Sequence, residues 1–269
     1  MQGLLRVRTI FRKGGIIGPW EGGVNYRHHK IETENRNLLD FIRQLAEGKF
    51  LIPTFQRQFV WEPGDIVSLW DSLYRRYPIG SILCWNTTIR LHVHRRIGGF
   101  FVPENGGEGA GHHVYILDGQ QRSTSLVASF YGGAGRVKEH YDVDHTVHFD
   151  LTRGEFFLEQ DYFRHRWESD PAFLFPVREA PGLPDDYVAG LTGMKGYGRK
   201  AVENFAQLKY MFSEYPVPLI HLRGFNIADV CSIFERMNQS GKRLENLDIL
   251  IARGFRNYAT VVEEDFPIS

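Results

Sequence analysis

The sequence predicts a globular protein of mixed α and β structure, and three features of the 269-residue chain indicate this. Short apolar runs bounded by glycine and proline alternate with segments whose apolar residues recur every three to four positions. Hydrophobic residues make up 42% of the chain, enough for a large buried core. No apolar run approaches the roughly 18 residues of a membrane span. With two cysteines and no apolar segment typical of a secretory signal, we expect a cytoplasmic protein.

Two helices and two strands are predicted before residue 118, after an aperiodic, glycine-rich stretch of thirty residues. The first helix begins at a cap, Asn35 or Asn37, and ends at Gly48. Pro63 opens the second helix, which closes at Tyr77-Pro78. The apolar runs 81–85 and 114–117 are candidates for buried strands.

The segment that follows the second strand is the most informative part of the chain. Gly119 permits a tight turn, and a helix begins directly after it, so backbone N–H groups at the positive end of the helix dipole suit an anion. Arg122 adds donors for phosphate oxygens, and Ser123 and Thr124 can cap or donate. Asp118 can hold Mg²⁺, which would bridge it to phosphate. The physical pattern therefore yields the hypothesis of a phosphate site, and a capped helix with a surface arginine is the alternative that it leaves open.

The second half is predicted to be more helical. Residues 147–158 carry the pattern of a β-hairpin. Amphipathic helices are expected at 198–214, 230–237 and 246–258. The short strand 217–221 contains a proline, which is typical of a sheet edge.

The charge pattern argues against nucleic-acid binding through bulk charge, because 32 basic residues balance 32 acidic ones. Two local clusters are basic: residues 1–30, with six basic residues and one acidic residue, and the segment 90–96. Arg27, Arg95 and Arg96 are the candidate DNA contacts in them. Solvated surface charge is the alternative explanation. The paired histidines do not predict a zinc site, because nothing in the sequence ties them to further ligands.

Four segments carry a resemblance to a known family. They are Phe55-Gln-Arg-Gln-Phe-Val-Trp61, Tyr77-Pro-Ile-Gly80, Asp118-Gly-Gln-Gln-Arg122 and Phe234-Glu-Arg-Met-Asn-Gln-Ser-Gly-Lys-Arg-Leu244. In this order they resemble the N-terminal domain of GmrSD-type restriction systems, a ParB-like family with a DGQQR signature. Related domains occur in SspE, a sensor of phosphorothioate-modified DNA. The resemblance covers roughly residues 35–255.

The resemblance implies an α+β fold, with a ParB/sulfiredoxin-like core and a helical extension in the second half. It divides the chain into a basic arm (1–30), a nucleotide-binding core (31–160) and a mainly helical part that completes the site (161–269). The implied function is binding and hydrolysis of a nucleoside triphosphate, GTP above all, with Mg²⁺, in a system that senses modified DNA and defends against phage.

The resemblance also implies roles for individual residues. Residues 118–122 would form the nucleotide loop. Within it we expect Asp118, Gln121 and Arg122 to be catalytic, with the metal held by Asp118 or by Glu235. The remaining nucleotide contacts would be Arg57, Gly119, Gln120, Ser123, Thr124, Glu235 and Asn238. Plain structural roles remain open for two of them: Asn238 as a C-terminal cap, and Arg57 as an ion-pair partner of Asp118.

Two functions from other classes compete with this interpretation. In the first, the same turn holds DNA backbone phosphate and no nucleotide is hydrolysed. In the second, the ParB-like core itself nicks DNA. The chain contains no Walker motif, and it contains no His-Asn-His constellation of the HNH nucleases that follow this region in many relatives. We therefore expect such a nuclease in another domain or a partner subunit.

Overall fold

The computed structural model describes residues 28–56, 59–103, 111–132, 144–191 and 198–237. Their strands are β1 (Lys30–Asn37), β2 (Ile82–Thr87), β3 (Arg96–Ile97), β4 (Phe100–Phe101), β5 (His113–Asp118), β6 (Val147–Asp150), β7 (Glu155–Leu158), β8 (Leu174–Pro176) and β9 (Pro216–Arg223). Their helices are α1 (Leu38–Ala46), α2 (Pro63–Tyr74), α3 (Gln120–Tyr131), α4 (Tyr162–Glu168), α5 (Tyr187–Leu191), α6 (Gly198–Glu214) and α7 (Ile227–Met237). The architecture is α+β, as predicted.

The main sheet has the strand order β1-β9-β2-β5. β9 runs antiparallel to β1 and parallel to β2, and β2 runs antiparallel to β5. The expectation that residues 217–221 form an edge strand is therefore wrong, because β9 is paired on both sides. Its two prolines, Pro216 and Pro218, are tolerated because pairing with β2 begins only at Leu219.

Strand β1 was not predicted, because its sequence lacks an apolar face. Charged side chains occupy alternate positions along it, and its single large apolar residue, Ile31, is 65% exposed. Asn37 ends the strand and caps α1 by accepting a hydrogen bond from the backbone N–H of Leu39 over 2.9 Å. The choice between Asn35 and Asn37 as the cap is thereby settled in favour of Asn37.

Both faces of the main sheet are covered. Alternation along β2 places Ile82 and Cys84 in the large core with α1, α2, α3 and α6, and Leu83 and Trp85 in a second apolar cluster with α7. Helix α3 lies deep in the molecule, with ten of its 12 residues buried. Burial raises the pKa of the Cys84 thiol to about 12, so this cysteine is a core residue and not a nucleophile.

The hairpin predicted at 147–158 is confirmed as β6 and β7, which join β8 in a three-stranded sheet. The helix predicted at 198–214 is α6, and that predicted at 230–237 forms most of α7. The helix predicted at 246–258 lies outside the described residues. In the part of the chain that the structure describes, no helix is long and apolar enough to cross a membrane.

Candidate site at the start of helix α3

The strand-to-helix junction predicted from the sequence is present. Asp118 is the last residue of β5, and Gly119 occupies the N-cap position of α3 with φ +90°. A Cβ atom at Gly119 would lie 2.4 Å from Cδ1 of Ile82 and 3.4 Å from Nη2 of Arg122. Both the left-handed backbone and the close contact exclude a side chain here. The glycine therefore keeps the main chain bare at the helix N-terminus.

Arg122 holds this junction together. Its Nη2 donates to Oδ2 of Asp118 over 3.1 Å, and its Nη1 donates to the carbonyl oxygen of Ile79 over 2.5 Å. The Arg122 side chain is 18% exposed, whereas that of Asp118 is 49% exposed. The arginine thus fixes the carboxylate from its buried side, and the carboxylate is the group that faces solvent.

The Tyr77-Pro-Ile-Gly80 segment packs directly on that guanidinium. A Cβ atom at Gly80, whose φ is +79°, would lie 2.8 Å from Nη1 of Arg122. The hydroxyl of Tyr215 donates to the carbonyl oxygen of Tyr77 over 2.7 Å, and burial raises the pKa of this phenol. The sequence marks this segment as a motif without indicating what it does. Its role in the structure is to supply a carbonyl acceptor and an open space for Arg122.

The segment 55–61 reaches the same junction by two anchors. The side-chain amide of Gln56 donates to the carbonyl oxygen of Ile116 in β5. The backbone N–H of Val60 donates to Oε1 of Gln121 over 2.9 Å. Arg57 lies between these anchors in the chain but outside the described residues. Gln56 was missed by sequence reasoning, because a buried glutamine within a polar segment leaves no pattern.

The fourth segment begins in α7. The ring of Phe234 packs edge-on against the ring of Phe55, with centroids 5.6 Å apart. The side chain of Glu235 and the whole of Asn238 lie outside the described residues. The described parts of the four motif segments are therefore joined into one region by contacts between residues that stand far apart in sequence.

Membership of a family that shares these segments would explain why they meet. Such a family is found. The model for the N-terminal domain of the GmrSD restriction endonuclease matches residues 36–255. The chain belongs to this family. A GmrSD-type N-terminal domain is therefore the unit in which the four segments meet.

A second protein is similar to this GmrSD-type chain over most of its length. An uncharacterized protein of Methanocaldococcus jannaschii is 26% identical over 253 residues, which cover 84% of this chain and 43% of the relative. The chain thus spans less than half the length of that relative.

Three consecutive hydroxyl groups follow the junction inside α3. Ser123, Thr124 and Ser125 are at most 1% exposed, and their side-chain oxygens find no hydrogen-bond partner among the described residues. Burying a hydroxyl without a partner is costly. Ser123 and Thr124 were predicted as nucleotide contacts and Ser125 was not. These hydroxyls are buried donors beside the candidate site.

The predicted metal role of Asp118 fits a metal that arrives with phosphate. Among the residues that the structure describes, no three His, Cys, Asp or Glu side chains are placed to hold a metal ion. Mg²⁺ commonly takes one or two carboxylates and fills its other positions with phosphate oxygens and water. The half-exposed Asp118 carboxylate suits that type of coordination. It does not suit a metal held by protein groups alone.

The three predicted DNA contacts differ in their surroundings. Arg27 lies outside the described residues. Arg95 donates from Nη1 to the carbonyl oxygen of Pro103 over 2.9 Å, so its side chain is tied to its own loop. Arg96 is exposed on β3.

Proposed function

We propose that the chain is the nucleoside-triphosphate-binding and -hydrolysing module of a restriction system that senses modified DNA. GTP is the proposed nucleotide. The observation that carries this proposal is the convergence of segments 55–61, 77–80 and 118–122 on the exposed end of β5. Asp118, Gly119 and Arg122 meet there at the N-terminus of a buried helix.

The triphosphate would lie over the bare main chain at Gly119. The positive end of the α3 dipole and the backbone N–H groups of its first turn favour an anion there. Arg122 contributes positive charge and has N–H groups in addition to the two that bind Ile79 and Asp118. Gln120, Ser123 and Thr124 complete the proposed contacts from α3, with Arg57, Glu235 and Asn238 closing the site from the neighbouring segments.

Mg²⁺ would bind to the outward-facing oxygen atoms of Asp118. When bound, the metal neutralises charge on the phosphate oxygens. Arg122 prepares Asp118 for this task, because its hydrogen bond fixes the orientation of the carboxylate. Such a site acts mainly by positioning the reacting groups and by electrostatic preorganisation, since its charged groups are in place before the reaction begins.

Gln121 is the proposed residue for orienting the attacking water. Its Oε1 accepts from Val60, which fixes the plane of the amide and the direction of its N–H donors. The same contact makes the position of Gln121 depend on the 55–61 segment. A change in that segment would therefore alter the catalytic geometry.

For the fold, we propose a ParB/sulfiredoxin-like core that is extended by the helices of the second half. The insertion of β9 between β1 and β2 supports a single folding unit, because this late strand completes the sheet that presents the site. The proposed partners are modified DNA, phosphorothioate DNA among them, and an HNH nuclease in another domain or subunit. The nucleotide state of the site would control whether the chain engages the DNA or the nuclease partner.

A triphosphatase assay tests the proposal. Phosphate release would be measured for the four ribonucleoside triphosphates with Mg²⁺, with and without phosphorothioate-modified duplex. We expect release from GTP that is lost in Asp118→Asn and kept in Glu203→Gln, a matched amide replacement in the exposed Arg199–Glu203 pair of α6. No release from any nucleotide, with salt-dependent DNA binding retained, would favour the DNA-binding alternative. Metal-dependent nicking lost in Asp118→Asn would favour the nickase.

A further inference from the structure

The β3–β4 hairpin presents an arginine and a phenylalanine side by side. Its turn, Gly98-Gly99, has φ values of +55° and +88°, the conformation of a tight two-residue hairpin turn. Arg96 stands directly opposite Phe101 in the register. Residues directly opposite each other place their side chains on the same face. Both are exposed, Phe101 by 51%.

The other face of the hairpin is fixed to helix α3. Ile97 is buried, and the ring of Phe100 lies 5.2 Å from that of Tyr131. A Cβ atom at Gly98 would lie only 2.6 Å from Cβ of Ala128, so the turn rests directly on the helix. Arg96 and Phe101 therefore project from a hairpin that is packed firmly against α3. The exposed aromatic ring of Phe101 is available to contact a partner.

The stretch of sequence that contains the hairpin carries charged side chains of one sign only. Residues 72–103 contain five arginines and no aspartate or glutamate. Among the residues that the structure describes, Arg90 and Arg96 form no ion pair. Arg95 differs, because its guanidinium is tied to Pro103. The free positive charge next to Phe101 thus comes from Arg96.

We propose that Arg96 and Phe101 form a contact surface for duplex DNA. Arg96 binds a backbone phosphate, and Phe101 enters the adjacent groove and wedges against a base step. DNA fits this pair because it places negative phosphate next to flat, apolar base rings, and apolar wedges beside arginines are a known way of binding its grooves. Arg95 acts in this surface by holding the hairpin, not by touching DNA.

This inference extends the DNA-binding part of the proposed function and does not require the nucleotide site. An acidic protein surface is the competing partner. It would pair with Arg96 but would not need an unstacked base for Phe101. The test therefore includes a readout that responds to base unstacking.

Binding would be measured by fluorescence anisotropy with a duplex of about 20 base pairs, without nucleotide, across a salt series. Arg96→Ala is expected to lower the slope of log K against log salt by about one, the loss of one phosphate contact. Phe101→Ala is expected to weaken binding about tenfold and leave the slope unchanged. With 2-aminopurine at the centre of the duplex, the wild-type protein is expected to raise the fluorescence and Phe101→Ala is not.

Two exposed residues elsewhere serve as matched controls. Phe163, 70% exposed on α4, and Arg199, whose side chain is 93% exposed on α6, are replaced by alanine, and both variants are expected to bind like wild type. Equal losses in the control variants, or wild-type binding by Arg96→Ala and Phe101→Ala, would overturn this inference alone. No duplex binding by the wild-type protein would overturn it together with the DNA-binding part of the proposed function. Full displacement of the duplex by an acidic polypeptide, without any 2-aminopurine signal, would assign the surface to a protein.

Discussion

Arg122 donates a hydrogen bond to the carbonyl oxygen of Ile79, 43 residues earlier in the chain, over 2.5 Å. The contact ties the loop between α2 and β2 to the first turn of α3. Because the same guanidinium also binds Asp118, one side chain sets the position of both the carboxylate and the loop. The geometry of the proposed nucleotide site therefore depends on Arg122 before any ligand binds.

Replacing Arg122 by alanine is expected to reduce the free energy of unfolding by about 1.5–3 kcal/mol, the range for hydrogen bonds that involve a charged group. Urea denaturation measures this loss. Arg122→Lys keeps the charge but loses the fork that reaches Ile79 and Asp118 together, so we expect an intermediate value. Arg199→Ala, in an exposed pair, should stay within about 0.5 kcal/mol of wild type. Equal stabilities for Arg122→Ala and Arg199→Ala would refute the structural role.

Glycine 119 offers a second stability test. Gly119→Ala places a Cβ atom 2.4 Å from Ile82 on a backbone with φ +90°, and we expect a loss of at least about 1–3 kcal/mol. Gly64, in the first turn of α2, has nothing within 4 Å of the same position. Gly64→Ala should therefore be neutral or stabilising by up to about 1 kcal/mol. A thermal or urea unfolding series that ranks the two variants the other way round would contradict the structure.

The stability is also expected to depend on pH through two buried histidines. Burial lowers the pKa of His148 and of His221 below the usual 6.5, against the opposing effects of Glu159 and Glu34. As the pH falls below about 6.5, the unfolded chain binds protons that the folded chain does not, so the folded state loses stability.

Urea midpoints at about pH 7.5 and about pH 5.5 measure this loss. The double variant His148→Gln, His221→Gln should show a smaller difference between the two midpoints than wild type. His112→Gln, at an exposed position, is the control. A pH dependence unchanged by the double variant would rule out these two histidines as its source.

Much of the fold was predictable, because apolar periodicity and capping residues specify elements locally. Pro63 opens α2 as expected, and the hairpin at 147–158 follows from its alternation and its turn. Two features were not predictable. Strand β1 is polar and forms through pairing with β9, whose partners are set by the whole sheet. The prolines of β9 suggested an edge, because the sequence does not show where pairing with β2 begins.

The candidate site, like the fold, was predictable from the sequence only in part. The turn at Gly119 and the helix that follows it were evident from residue order. The partners of Arg122 and Gln121 were not, because a backbone carbonyl at Ile79 and a backbone N–H at Val60 have no signature in the sequence. Only folding brings these groups together, and the family motifs marked the segments without indicating which atoms meet.

Hydrogen–deuterium exchange with a non-hydrolysable GTP analogue and Mg²⁺ tests the central claim most directly. If the nucleotide binds at the start of α3, the analogue should slow exchange in peptides that contain residues 55–61, 77–80 and 118–125, and Asp118→Asn should reduce this protection. The hairpin 147–158 should be unaffected. Protection confined to other segments, or no protection at saturating analogue, would contradict the proposed site.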